Sequence, residues 1–387
     1  VLGVAAMLAL LGTIVSGSPI GTQAAGSIAV VSGSAWAWGS NSYGQLGNGT
    51  TTSSSIPIAV SLPSGTTVTA IAGGLYHSLA LTSTGQVLAW GYNVFGELGN
   101  GTTADSSIPV AVSLPSGTIV TAIAGGGGQH SLALTSTGQV LAWGWNGYGQ
   151  LGNGTTTYSS TPVAVSLASG TTVTAIAGGA GHSLALTSTG QVLAWGYNLD
   201  GELGNGSTTN SSTPVAVSLP SGTTVTAIAG GGQHSLALTS TGQVLAWGGN
   251  SSGQLGNGTT STTGCFCIST PVAVSLASGT TVTAIAGGGY HSLALTSSGQ
   301  VLAWGYNAFG QLGNGTATNS GIPVAVSLAS GTTVTAIAGG GSHSLALTST
   351  GQVLAWGRNL EGELGNGTTT TDSSTPVVVS AIRAAVA

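Results

Sequence analysis

Short runs in which a larger apolar residue alternates with a small or polar one recur along this chain, and glycine, proline or serine ends each of them. One stretch reads PVAVSL at 109–114, VTAIAG at 120–125, HSLALT at 130–135 and QVLAWG at 139–144. Alternation at every second position is the period of a half-buried strand. The separators PSGT, GGGG and STG are turn chemistry. Capping boxes and charged pairs four residues apart, the marks of helices, are missing. The pattern therefore predicts four short strands in about 50 residues, and then it begins again.

The repeat has a tight register. Its frame opens at Trp38, Trp90, Trp143, Trp195, Trp247, Trp304 and Trp356, at spacings of 52 or 53 residues and once of 57, where GCFCI (264–268) is inserted. The Asn of an Asn-Gly pair follows each Trp by ten residues, and His77, His130, His182, His234, His291 and His343 each precede the next Trp by thirteen. Four strands per period of this length predict propeller blades rather than solenoid coils. The AIAGG strand suits the crowded axis, where only Ala and Gly leave room. The Trp suits the wider space between blades.

The two ends fit together in the same register. The last copy stops after Pro376 without a further His or SLALT, while GSIAVVSGSAWAW (26–38) aligns with HSLALTSTGQVLAW (77–90) if one residue is dropped. The N-terminus is thus expected to supply the strand that the C-terminus lacks. That predicts an all-β, seven-bladed β-propeller of four-stranded antiparallel blades, a single domain over 26–387, closed by residues 26–33 with no exposed sheet edge.

GQVLAWGYNVFGELGNGTT, followed by Pro and then AGGLYHSLALTSTGQ, resembles the regulator of chromosome condensation repeat, over about residues 26–380. The resemblance implies a seven-bladed propeller. It does not imply one function, because the family spans nucleotide exchange factors, ubiquitin ligase modules and secreted bacterial inhibitors. The eukaryotic exchange factor has a basic tail and charged loops that this chain lacks, which disfavours guanine-nucleotide exchange here. The chain looks more like a bacterial extracellular member.

Charge narrows the partners. The chain has two basic residues, Arg358 and Arg383, seven acidic ones and no lysine. Nucleic-acid binding rests on cations that neutralise phosphates, so nucleic acid is excluded as a partner, and anionic membrane surfaces are argued against in the same way. Residues 1–15, VLGVAAMLALLGTIV, are apolar and uncharged, and TQA at 22–24 offers small residues for a peptidase. Residues 1–25 are therefore expected to be a secretory signal or an apolar N-terminal segment. They are short for a membrane anchor, which needs about 20 apolar residues. The expected location is secreted or at the cell surface.

Candidate chemistry is sparse. The six histidines occupy one register, so they spread around a ring and cannot converge on one metal; each is expected to be half-buried and to fix a turn. Asp200 with Glu202 and Glu361 with Glu363 lie three repeats apart, too far for a glycosidase pair, and are expected in exposed polar loops. No nucleophile, base and orienting acid stand apart from the repeat, so no enzyme, cofactor or metal is expected. Cys265 and Cys267 are candidate cross-link residues or free thiols, since a bond between them would be strained. Asn48, Asn100, Asn153, Asn205, Asn257, Asn314 and Asn366 match the glycosylation acceptor pattern, as do Asn210 and Asn250, though Asn-Gly is also the preferred tight-turn pair.

What varies inside the repeat is more informative. After each Trp-Gly stand Ser40, Tyr92, Trp145, Tyr197, Gly249, Tyr306 and Arg358. Three residues later stand Tyr43, Phe95, Tyr148, Asp200, Ser252, Phe309 and Glu361. Both sets should fall on one face of the disc. The aromatics Tyr92, Trp145, Tyr197, Tyr306, Tyr43, Phe95, Tyr148 and Phe309 are candidate binding residues for a protein or a sugar, with packing between blades as the equal alternative. The expected function is a secreted, non-enzymatic binding or structural module that engages a protein, a glycan or copies of itself. The second reading is a secreted inhibitor of an extracellular enzyme.

Overall fold

The computed structural model describes residues 14–16, 27–31, 33–260 and 267–380. Most of the 1–25 segment and the tip of the 264–268 insertion lie outside them. The strands fall into four-stranded antiparallel sheets whose members are consecutive in sequence. The pattern is clear in the sheet formed by β5 (Val68–Gly73), β6 (His77–Thr82), β7 (Val87–Gly91) and β8 (Ser106–Ala111). Five more sheets repeat it, within 120–164, 173–216, 225–273, 282–325 and 334–378. These six blades, where the sequence predicts seven, are named below by their Trp, from Trp90 to Trp356.

A further four-stranded sheet comes from the N-terminal part of the chain, as β1 (Ile14–Ser16), β2 (Ser27–Val31), β3 (Ser34–Gly39) and β4 (Ser54–Ala59). Ile14–Ser16 fall in the segment read from sequence as a signal, yet they pair with Ala29, Ile28 and Ser27. The expected exchange of strands between the ends is corrected here. No sheet among the described residues mixes N- and C-terminal strands. The ends meet through packing instead: Trp38 joins Leu345, Leu347 and Leu364 in one buried cluster, and its indole Nε1 donates to the carbonyl of Glu363 at 3.0 Å.

Sequence chemistry explains each layer. The innermost strand is VTAIAG, as its small residues predict. A Cβ on Gly125 would stand 2.4 Å from the carbonyl oxygen of Gly73 in the preceding blade, and one on Gly178 would stand 2.7 Å from that of Gly125. Only glycine lets backbones approach this closely. The outer strand is Ser106–Ala111, not 109–114. After Ala111 the chain turns inward, and Val112 and Ser113 donate to the carbonyls of Val87 and Gly99. Pro109 thus sits on an edge strand, where a missing N–H costs no ladder bond and blunts edge-to-edge pairing.

The core lies between blades. Leu79, Leu81, Val87, Leu98 and Val112 of the Trp90 blade pack against Trp143, Ala133 and Leu141 of the next. All seven frame tryptophans are fully buried. The indole of Trp143 donates to the carbonyl of Glu97 at 2.8 Å, and that of Trp195 to Gln150 at 2.9 Å, each in the preceding blade. Gly152 lies beneath the Trp195 ring, where a Cβ would meet Nε1 at 2.7 Å. The expected inter-blade role of Trp is what is found.

Candidate functional site

The antiparallel path puts two loops of every blade on the same rim. One is the turn from the first strand to the second, which ends just before His. The other is the long loop after Trp-Gly. That loop is held from within by an Asn the sequence reading passed over. Asn93 is fully buried; its Oδ1 accepts from the N–H of Leu98, and its Nδ2 donates to the carbonyls of Thr102 and Ala104. Asn41, Asn146, Asn198, Asn250, Asn307 and Asn359 are buried at the same position. The signal was available: every repeat has Asn three residues after its Trp.

Asn250 is therefore corrected as a glycosylation candidate, since its Nδ2 is buried and donates to the carbonyl of Thr259 at 3.1 Å. The seven Asn-Gly asparagines are half-buried and make tight turns. Asn100 Oδ1 accepts from the N–H and the hydroxyl of Thr102, and Gly101 takes a φ of +83°.

The histidines depart from expectation. All six are wholly buried, and the rings of His77, His130, His182, His234 and His291 reach across blades. Nε2 of His130 meets Ser183 Oγ at 2.9 Å, and that of His182 meets Ser235 Oγ at 2.8 Å. Each Ser in turn donates to a carbonyl of the preceding blade, as Ser183 does to Gln150. The same Gln150 carbonyl takes the Trp195 indole. With the Ser proton committed, Nε2 must carry the imidazole proton. Burial then holds the rings neutral, lowering the pKa of His130, His234 and His291 to about 3 and that of His77, His182 and His343 to about 4. No group of three or more potential ligands is placed to hold a metal among the described residues.

The carboxylates correct another expectation. Glu97, Glu202 and Glu363 are fully buried, not in exposed loops. Oε2 of Glu97 accepts from the N–H of Phe95 at 2.9 Å, the bond that Gln150 Oε1 makes to Tyr148 at 3.0 Å. Burial raises the pKa of Glu97 and Glu202 to about 8, against the pull of backbone donors, and raises that of Glu363. At neutral pH Glu97 and Glu202 are mostly protonated and stand in for glutamine. Asp200 is half-buried, its pKa raised by burial, while Glu361 accepts from Ser53 Oγ at 3.1 Å on the surface. Cys267 is disulfide-bonded, so a free thiol there is ruled out; Cys265 lies outside the described residues.

The aromatic registers meet between blades. The residue at the second register touches the first register of the following blade, as in Tyr43 with Tyr92 (centroids 4.9 Å), Phe95 with Trp145 (6.4 Å) and Tyr148 with Tyr197 (4.8 Å). Phe309 follows the rule with the guanidinium of Arg358, 5.4 Å from its centroid. The packing alternative is seen in the rings that lie on one another, while all eight keep partial exposure and Tyr148 is 38% exposed. A third register was missed, the residue before each His. There Tyr76 packs on Tyr43 at 5.1 Å and Tyr290 on Tyr306 at 6.5 Å, and Gln129 and Gln233 occupy it in other blades. A cavity of about 550 Å³ opens among these registers, walled by Tyr76, Trp145, Tyr148 and Tyr197 and edged by Gln129 and Gln233.

The fold is thus a β-propeller that carries a rim of half-exposed aromatics. The family comparison agrees: the RCC1-like domain matches residues 18–275 and again 126–387. The chain belongs to the RCC1-like domain family. It is 33% identical to the Arabidopsis thaliana ultraviolet-B receptor UVR8 over 365 residues, 94% of this chain and 81% of that protein. It is 35% identical to the human E3 ubiquitin-protein ligase HERC2 over 369 residues, 94% of this chain but only 8% of that ligase. Among solved structures, human WBSCR16 superposes with a TM-score of 0.80 at 27% identity, covering 90% of this chain and 94% of that one. Yeast RCC1 (Prp20), seen bound to Kap60, gives a TM-score of 0.78 at 26% identity over 89% and 83%.

Proposed function

We propose that this chain is a secreted, non-enzymatic binding module whose working surface is the aromatic rim. The observation that carries the reading is the two-register aromatic network, which changes from blade to blade while Trp, Gly and the buried Asn beneath it stay fixed. Fixed neighbours hold the backbone, so side chains can vary without disturbing the blade. Rigid aromatics lose little entropy on binding and bury large area. Protein binding is supported by the yeast relative seen bound to Kap60. Secretion rests on the apolar, uncharged start of the sequence and the near absence of charge. Recovery of the native chain from the culture medium tests it, and a chain found only inside cells would overturn it.

The working surface is tested by Trp145→Ala and Tyr197→Ala in neighbouring blades, read by thermal unfolding and by capture of partners from the native culture fluid. Partner binding should be lost at least tenfold, with melting lowered by only a few degrees because both rings are partly exposed. A drop equal to the loss of a buried aromatic, about 3–5 kcal/mol, with partner capture intact would mean that the rings serve only as packing.

A further inference from the structure

The 550 Å³ cavity differs in construction from the rest of the rim. It lies where one repeat gives up its side chain. The residue before His is Gly181 in the Trp195 blade, against Gln129 and Gln233 in the two blades beside it and Tyr76 one blade further. A Cβ at 181 would stand 2.9 Å from Tyr197 Cβ and 3.5 Å from Tyr148 Cδ2, so glycine lets these two rings settle at the cavity wall. The turns below are tied to one another by backbone bonds, Leu75 N–H to Gly128 O at 3.2 Å and Ala180 N–H to Gly231 O at 3.3 Å, which gives the cavity a fixed base.

Its chemistry is selective. No Lys, Arg, Asp or Glu lines it. A phosphate, a carboxylate or an ammonium group would enter with its charge unpaired, which burial disfavours. Free strand edges are also missing from the lining, so an extended peptide has no ladder to join. What remains is a set of tilted aromatic faces beside two primary amides, each able to donate and accept. Trp145 and Tyr148 meet edge to face at 5.0 Å, and Tyr148 and Tyr197 at 56°. Apolar faces beside neutral amides complement a ligand that is apolar on its ring faces and hydroxylated at its edges. The volume lies within the range of small-ligand sites.

We propose that this cavity binds a neutral oligosaccharide, with sugar rings lying on Trp145, Tyr148 and Tyr197 and hydroxyls bonded to Gln129 and Gln233. The proposal rests on the reading of the aromatic rim as the working surface, and the two can fail separately. The test is calorimetric titration of the full chain with cello-, malto-, xylo-, manno- and chito-tetraose, and with a tyrosine- and proline-rich neutral peptide. At least one sugar should saturate below millimolar concentration. The double variant Gln129→Ala/Gln233→Ala should weaken it tenfold or more, while Ile108→Thr on the exposed outer strand, where Thr161 stands in the next blade, leaves it unchanged. The proposal is overturned if no sugar binds at millimolar concentration, or if the double variant binds as tightly as the parent. Peptide binding lost in Trp145→Ala, with no sugar bound at millimolar concentration, would overturn the sugar and keep the rim. Failure of sugar, peptide and partner capture together would overturn both.

Discussion

Acidification from pH 7 to about 4 is expected to unfold this protein. The six buried histidines have folded pKa values of about 3 to 4, against about 6.5 in the unfolded chain. A depressed imidazole pKa means stability that is full above pH 6.5 and drains away as the pH falls toward the folded value. At pH 4.5 each histidine costs about 3 kcal/mol, at about 1.4 kcal/mol per pH unit. The buried glutamates act in the opposite sense. Their folded pKa is raised, so the stability they allow is full below about 4.5 and is lost as pH climbs to about 8. Between pH 7 and 4.5, Glu97 and Glu202 each return about 3 kcal/mol. Six groups outweigh two. The net loss is on the order of 10 kcal/mol, comparable to the whole stability of a typical domain.

Denaturant midpoints measured from pH 8 to pH 4 check this: a midpoint at pH 4 within a few percent of that at pH 7 would refute it. Glu97→Gln separates the two families of groups. Glutamine makes the same backbone bond at positions 45, 150 and 311. The variant should therefore be more stable than the parent at pH 8 and indistinguishable from it at pH 4.5. An equal effect at both pH values would mean that Glu97 is not protonated in the folded state.

Deleting residues 26–33 should abolish cooperative unfolding. Among the described residues β2 is the only strand paired to the inner edge of β3, with Ser27 opposite Trp38 and Val31 opposite Ser34. Without it that edge of β3, whose Ala35, Ala37 and Trp38 are buried, has backbone groups with no partner. β1 loses its hydrogen-bonded neighbour at the same time, and β1 lies between β5 and the strand Val334–Gly339. The first and last repeats would then be joined mainly by the Trp38 contacts. The expected result is aggregation or a broad, multi-phase transition in calorimetry. A variant that melts in one transition at the parent temperature would refute the closing role of this sheet.

The parts legible in the sequence are those that repeat. The strand pattern, the glycine-lined axis and the inter-blade Trp follow from alternation, residue size and period, because each answers to local sterics or to the burial of one large side chain. Other features escaped because they depend on what the neighbouring blade brings. His130 reads as a turn residue until Ser183, 53 residues away, is seen to accept its hydrogen bond. Glu202 reads as a loop carboxylate because no one-dimensional pattern reveals that it fills the slot of Gln150. Tyr76 and Tyr290 were passed over because they precede a constant His, and only the fold shows that this turn and the loop after Trp-Gly share a rim. The outer strand was placed three residues late because Pro109 looks like a strand start, whereas an edge strand tolerates it in the middle.

The carbonyl that receives both a Trp indole and a Ser hydroxyl from the next blade has a consequence for size. Every joint of this kind runs head to tail, and the same chemical parts are present at each joint from Trp90 to Trp356. Heterologous contacts of this sort specify a successor but carry no instruction to stop. Chemistry therefore cannot count the blades. A duplicated or lost repeat would leave the chemistry of every remaining joint unchanged.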